Sequence, residues 1–290
     1  MKQKIAAVIG ILLALTACGG GSGRGDGTSG TPPTYSTDAD QIVLQMSTGG
    51  GLVPIQYNLA EFPEWTLYGD GTLLTPGPQI EIYPPPALPS VQVQHVTPDG
   101  IVQILVAAEK AGLTNGDAEY ATMMVTDMPT TVFTTTADDV TSRVSVYALG
   151  FDDQSGTVPA AERAARAKMV AFAESLSNLQ AWLPEGSVSQ PEAYEPSALR
   201  VYTLPPVKAG DPSLQQPNVE WPLATPMGSF GAPYGGMPDT RCGVVEGSDL
   251  QKMLQAAKGA NQLTVWTDGK DRAFLVLRPE LPGETGCQED

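Results

Sequence analysis

The stretch WTLYGDGTLLT, residues 65–75, places two runs of β-formers around Asp70-Gly71. Aspartate followed by glycine tolerates the positive φ that a tight turn needs, so the spacing predicts an antiparallel hairpin closed by a type I′ turn. An isolated hairpin is marginal in water, so further strands must flank it. Residues 41–47 (QIVLQMS) and 91–96 (VQVQHV) alternate apolar and polar side chains on either side of it. Three more strand patterns follow at 120–126, 130–136 and 142–149, the last two joined by Ala137-Asp138-Asp139.

Three helices are predicted to pack on these strands. The first follows Asp99 as its cap, presents Ile101, Ile104, Leu105 and Ala108 on one face, and ends at Gly112 and Leu113 in a Schellman pattern. A longer one starts near Pro159 and runs to Leu183, where Pro184 and Gly186 stop it. Its seam is Ala165, Met169, Phe172, Leu176, Leu179 and Leu183, with Arg163, Arg166, Lys168 and Glu174 off the seam. After a Pro/Ser/Gln-rich connection come strand patterns at 199–204, 219–223 and 241–246. Ser248 with Gln251 then forms a capping box for a third helix faced by Leu250, Met253, Leu254 and Ala257. A hairpin around Asp268-Gly269 closes the chain. The fold class is therefore α+β, antiparallel sheets with hairpins against three helices. Both halves read helix, strand, turn, strand, one carrying Phe133 and the other Phe274, which hints at a duplicated helix-hairpin unit. The expected divisions are a first subdomain at 41–186 and a smaller second one at 187–290.

Sixteen basic residues face 32 acidic ones, a formal net charge of −16. Nucleic acid phosphates and anionic headgroups repel such a surface, which excludes nucleic-acid binding and disfavours docking on a membrane through a basic patch.

Lys2 and Lys4 precede a charge-free apolar run at 5–16 (IAAVIGILLALT), then Ala17, Cys18 and Gly19. As a helix the run spans roughly 18 Å, short of the ~30 Å hydrocarbon core, and has signal-peptide length. Leu15-Thr16-Ala17-Cys18 resembles a bacterial lipobox. The resemblance implies a signal peptide at 1–17, cleavage before Cys18, and a diacylglyceryl group of palmitate-class chains on its thiol. The protein would then be extracytoplasmic and held to the cell membrane by lipid. Two acyl chains suffice for stable anchoring where one does not. Cleavage would remove two lysines and leave 14 basic against 32 acidic residues, a net charge of −18. Residues 18–40 read as the lipidated terminus and a flexible Gly/Ser tether, reaching on the order of 25 Å. The Arg24-Gly25-Asp26 triplet inside it reads as linker. The segment at 47–71 (STGGGLVP to LYGDG) is similar to uncharacterised membrane-anchored lipoproteins of high-GC Gram-positive bacteria, which implies no activity.

With Cys18 lipidated, Cys242 and Cys287 remain as an even pair in an oxidising compartment and read as one disulfide that staples the C-terminal tail to the body. His95 is the only histidine, so a zinc site of several His and Cys ligands has no donors, and no Gly-x-Ser-x-Gly elbow or phosphate-binding loop is present. His95 reads as a half-buried structural residue on its strand. Gly49-Gly50-Gly51 reads as a bend after the first strand, with close approach of a peptide backbone as the alternative. Residues 152–156 (DDQSG) lack the alternating ligands of a calcium loop and read as a turn. No catalytic residue, metal site or cofactor is assigned.

Two loops concentrate aromatics. That at 53–68 holds Tyr57, Phe62, Trp65 and Tyr68 and reads as hairpin core. That at 226–239 holds Met227, Phe230, Tyr234 and Met237 and is the candidate binding loop. The expected function is a non-catalytic binding or scaffold lipoprotein of the cell envelope, with a protein, peptide or glycan partner. The competing expectation is an envelope hydrolase using carboxylates or a divalent metal, which would place a pair of buried acids on one cleft.

Overall fold

A computed structural model describes residues 31–152, 156–206, 213–214, 216–235, 237 and 239–287. Cys18, the signal segment, the tether up to Gly30 and part of the 152–156 turn lie outside the described residues. From Pro32 onward the chain forms one compact unit.

The first sheet has eight strands. Five are β1 (Ile42–Gly49), β2 (Trp65–Tyr68), β3 (Thr72–Pro76), β4 (Val91–His95) and β5 (Ala118–Tyr120), and the others are β6 (Thr130–Ala137), β7 (Val140–Tyr147) and β8 (Glu192–Ala193). Their order is β5-β7-β6-β1-β2-β3-β4-β8, antiparallel throughout except for β5 beside β7. The second sheet, in the order β10-β13-β14-β9-β12-β11, comprises β9 (Ala198–Leu204), β10 (Asn218–Glu220), β11 (Ala232–Pro233), β12 (Arg241–Glu246), β13 (Val265–Asp268) and β14 (Asp271–Pro279). Among the described residues four α-helices accompany them: α1 (Ile55–Leu59), α2 (Pro98–Ala111), α3 (Ala160–Leu176) and α4 (Gly247–Ala257). The fourth beyond the expected three is α1, a five-residue turn too short to show a periodic face.

Strand alternation assigns the faces. Leu44, Trp65, Leu67, Leu73, Phe133, Val144 and Val146 point to one side of the first sheet, where they pack with Ile101, Ile104 and Leu105 of α2 and with Met169, Phe172 and Leu176 of α3. Burying the three large α2 side chains contributes about 5–9 kcal/mol as an upper estimate. Leu199, Val201, Leu275 and Leu277 of the second sheet likewise pack on Leu250 and Met253 of α4. The remaining two sheet faces meet. Tyr68 and Leu74 of the first sheet pack with Leu281, which follows β14, and Leu59 of α1 packs with Tyr202 and Val276 of the second. The layers are therefore helix, sheet, sheet, helix.

The hairpin at 65–75 forms, but with a three-residue loop. Register pairs Leu67 with Leu73, Gly71 N donates to Tyr68 O, and of Asp70 and Gly71 only Gly71 has positive φ, at 91°. This is a type I turn with a left-handed glycine after it, not type I′. Asp70 Oδ1 and Oδ2 accept from Thr72 N and Oγ1, which holds the aspartate outside the left-handed region. The type I′ pattern occurs instead at Asp138-Asp139, both at positive φ between paired Ala137 and Val140.

Helix ends differ in detail. Thr97, not Asp99, caps α2 by accepting from Gly100 N, and Asp99 sits in the first turn. The Schellman end is present: Gly112 has φ 85°, its N donates to Glu109 O, and Leu113 N donates to Ala108 O. Pro159 precedes α3, which stops at Leu176 before a 3₁₀ turn at Leu179–Ala181 that keeps Leu179 and Leu183 on the buried side. Ser248 lies inside α4, whose N-cap Glu246 makes no side-chain cap bond, so the capping box is absent.

The expected 120–126 strand ends at Tyr120. Beyond it Arg166, expected off the seam but buried, donates to Tyr120 O and Tyr147 O, while Tyr147 Oη donates to Val125 O. These bonds take carbonyls that a strand would offer to a ladder. Consequently β5 pairs with β7 and not with β6, whereas β13 and β14 form a hairpin, so the two halves do not repeat one helix-hairpin unit.

The Cys242–Cys287 disulfide is present, with Cα atoms 5.7 Å apart and a sequence separation of 45. Loop closure on that scale corresponds to roughly 4 kcal/mol. Replacing both cysteines by alanine is expected to lower stability by about 2–4 kcal/mol, read as a lower urea midpoint. An unchanged midpoint would show that the C-terminal loop is held by its other bonds alone.

Candidate functional site

Arg200 on β9 and Arg278 on β14 are partners in register. Two guanidinium groups on neighbouring strands repel unless anions stand between them. The loop after β14 supplies these. Arg278 Nη1 and Nη2 donate to Glu284 Oε2 and Oε1 at 2.6 Å each, a bidentate pair, and Arg200 Nε donates to Glu280 Oε1 at 2.6 Å. Arg200 Nη2 stands 3.7 Å from Glu284 Oε2, which links the pairs. Burial opposes the charge on Arg200, and Glu280 and Tyr202 together outweigh it, so its pKa rises.

The cluster also ties the sheets together. Arg278 Nε donates to the Glu61 carbonyl at 2.7 Å, and its guanidinium lies 5.8 Å from the centre of the Phe62 ring. Tyr194 Oη donates to Glu280 O. The Tyr68 hydroxyl is buried with no hydrogen-bond partner among the described residues, and burial followed by the charge of Glu284 pushes its pKa up.

Beside this cluster the facing sheets separate into a cleft of about 710 Å³. Its first-sheet wall is Gln45 and Ser47 of β1, Thr130 and Thr134 of β6, and Arg143 of β7. The opposite wall is Arg200, Tyr202 and Arg278, with Tyr234 edge-on to Tyr202 at 5.0 Å between ring centres. Arg200 and Arg278 are committed to carboxylates. The Arg143 side chain is exposed and has no ion pair among the described residues, so it offers its donors to the cleft.

Glu61 closes one end. A Cβ on Gly49 would stand 2.0 Å from Glu61 Oε1, so the first glycine of the triplet admits a carboxylate, and Gly50 and Gly51, at φ 80° and 82°, make the bend. Burial first and the charge of Glu64 second raise the Glu61 pKa, and Arg278 opposes them. Glu64 does not share the cleft. It lines a separate cavity of about 530 Å³ on the helix side of the first sheet, beside Trp65. Burial raises its pKa against a hydrogen bond to Thr48, and Glu64 Oε2 and Trp65 Nε1 have no partner among the described residues.

Of the four candidate loop residues, Met227 and Phe230 are packed in the core of the second sheet, Phe230 edge-on to Trp221. Tyr234 and Met237 are half-buried against Cys242 and Cys287, and Tyr234 alone reaches the inter-sheet cleft. The loop therefore displays little of the apolar surface its composition suggested. In the other aromatic loop Trp65 and Tyr68 are buried as expected, while Tyr57 is exposed. His95 is exposed, not half-buried; its backbone N donates to Ser189 Oγ. Sequence reading passed over Arg143, Arg200, Arg278 and Glu61. A basic residue inside each of two apolar strands (ALRVYTL, FLVLRP), followed by Glu280 and Glu284, was the available signal.

Among the described residues no group of three or more His, Cys, Asp or Glu could hold a metal ion, and no helix is long and apolar enough to cross a membrane. No family model matches the chain, and no curated protein or solved structure matches it.

The raised Glu64 pKa fixes a sign. The folded chain favours the neutral acid, so ionisation costs stability near neutral pH, and the cost disappears as pH falls below the unfolded value of about 4.3. Glu64→Gln is expected to raise Tm by about 1–3 °C at pH 7 and to leave it unchanged near pH 3.5. A loss of Tm at pH 7 would show that the carboxylate is stabilising.

Proposed function

We propose that this chain is a lipid-anchored extracytoplasmic protein that binds a polar ligand, a peptide or a glycan, in the inter-sheet cleft without catalysing a reaction on it. The observation that supports this most is Arg143. It is an uncommitted guanidinium opposite two committed ones, in a cleft walled by amide and hydroxyl side chains. Such a wall supplies both donors and acceptors, which suits a ligand with hydroxyl or peptide groups, and Arg143 favours one that also carries a carboxylate. Tyr202 and Tyr234 offer aromatic contact area at low conformational cost. The lipobox-like Leu15-Thr16-Ala17-Cys18 supplies the address.

The carboxylate hydrolase is the second reading, and Glu61 favours it: it lines the cleft and is held toward its neutral form. A two-carboxylate mechanism requires a second free acid in reach. Glu284 lines the same cleft but is engaged by both arginines, and Glu64 lies on the other side of the sheet. The binding reading therefore accounts for more of the site.

Calorimetric titration with short peptides and envelope oligosaccharides that carry a free carboxylate tests the proposal. Arg143→Ala is expected to weaken a binder about tenfold or more, the scale of one charged hydrogen bond. Turnover of any of these compounds, lost in Glu61→Gln, would replace binding with catalysis. Cys18→Ser is expected to abolish incorporation of labelled palmitate; retained label would remove the lipid anchor at this residue.

A further inference from the structure

The strands that wall the inter-sheet cleft, β1, β6 and β7 on one side and β9 and β14 on the other, each lie between two neighbours in their sheet. None is an edge strand, so a peptide finds no free row of backbone groups to join as an added strand. Where β7 outruns β5, Arg143 N already donates to Asp117 Oδ1 at 2.8 Å. Recognition in the cleft therefore falls to side chains. Of those that line it, only Leu59, Pro63 and Val132 are pure hydrocarbon, which leaves little apolar pocket for the side chains of a bound peptide.

The rest form a polar grid. Register sets Gln45 of β1 beside Thr134 of β6 and Thr134 beside Arg143 of β7, one row across three strands, and sets Ser47 and Gly49 opposite Val132 and Thr130. At about 4.8 Å between strands the row is about 10 Å wide. Ser142 and Val144, on either side of Arg143, are buried on the other face, so alternation turns Arg143 toward the cleft, where it is exposed. Ser47, Thr130 and Thr134 are half-buried and Asn58 is exposed, and their side chains make no hydrogen bond among the described residues. Each of these groups donates as well as accepts, which matches the hydroxyls of a sugar, since every one of those does both.

Charge narrows the ligand further. Glu280 and Glu284 engage Arg200 and Arg278, so Arg143 is the cation left for a ligand, and one guanidinium fork matches one carboxylate. A more highly charged anion would also meet Glu61, which lines the same cleft, in a chain of net charge −16. The volume, about 710 Å³, lies within the roughly 300–1,000 Å³ of small-molecule sites and suits a few sugar rings. We infer, on the footing that this cleft is the binding site, that its ligand is a short oligosaccharide containing a carboxylated sugar, with the carboxylate on Arg143 and hydroxyls on Ser47, Thr130 and Thr134.

The test titrates the mature chain, residues 18–290 with Cys18→Ser, calorimetrically with trimers of galacturonic, mannuronic and glucuronic acid, with their methyl esters, and with trialanine. At least one acid trimer is expected to bind. Its methyl ester, which keeps every hydroxyl and loses the charge, is expected to bind about tenfold or more weakly. Arg143→Ala is expected to shrink that difference below about twofold. Thr134→Val, which removes a hydroxyl and keeps the shape, is expected to weaken acid and ester alike by about fivefold. Equal binding of acid and ester, a preference for the acid that survives Arg143→Ala, or undiminished affinity in Thr134→Val would each overturn the inference. Trialanine bound more tightly than every trimer, with the loss in Arg143→Ala, would overturn it and leave the carboxylate-binding cleft standing. No binding by any trimer or by trialanine would overturn both.

Discussion

The guanidinium of Arg278 is the polar joint between the two sheets. It is held in plane by both oxygens of Glu284, donates through Nε to the carbonyl of Glu61, 217 residues away in sequence, and stacks near Phe62. The contacts tie together three parts of the molecule: the C-terminal loop, the segment after α1, and β14, which carries the arginine. Burying such a pair costs desolvation, and the gain is close to balanced when every donor is used. Removing one partner is a different matter, because the remaining charge is then buried alone. The cluster thus sets the geometry of the joint more than it adds to total stability. Arg200, Glu280 and the disulfide at Cys287 reinforce the same loop from the other side.

Two consequences follow for the surface between the sheets. Where Tyr68, Leu74 and Leu281 pack, the sheets are closed by apolar contact. Where β1, β6 and β7 run past the cluster, side chains turn to amide, hydroxyl and guanidinium, and the sheets part into the polar cleft. The same chain that carries 32 acidic residues places three of its arginines on this cleft, two of them paired with Glu280 and Glu284 and the third, Arg143, without an ion pair among the described residues. Glu61, which lines the cleft, is held toward its neutral form by burial.

Local features were legible in the sequence and long-range ones were not. The hairpins at Asp70-Gly71 and Asp268-Gly269, the apolar faces of α2, α3 and α4, and the Schellman end at Gly112 all depend on residues within one turn or one strand pair. Turn type depended on finer matters: the two bonds from Thr72 to Asp70 decide that loop, and Asp138-Asp139 takes the left-handed pair without a glycine. The 121–126 segment had strand composition, yet Arg166 and Tyr147 claim its flanking carbonyls from other elements. The candidate loop at Met227 and Phe230 looked like a display of apolar groups because sequence does not show that Trp221 lies against it. The cleft was hidden for the same reason, since Arg278 and Glu61 meet only after both sheets exist.

The most direct test of this account is native-state hydrogen exchange on the amides of β1 and β6 in the first sheet and of β9 and β14 in the second. If the Arg278 joint makes the sheets one cooperative unit, the slowest amides of both should report opening free energies within about 1 kcal/mol of each other, and both should fall together in Arg278→Met. Opening energies that differ by several kcal/mol between the sheets, with the first sheet unmoved by Arg278→Met, would contradict it.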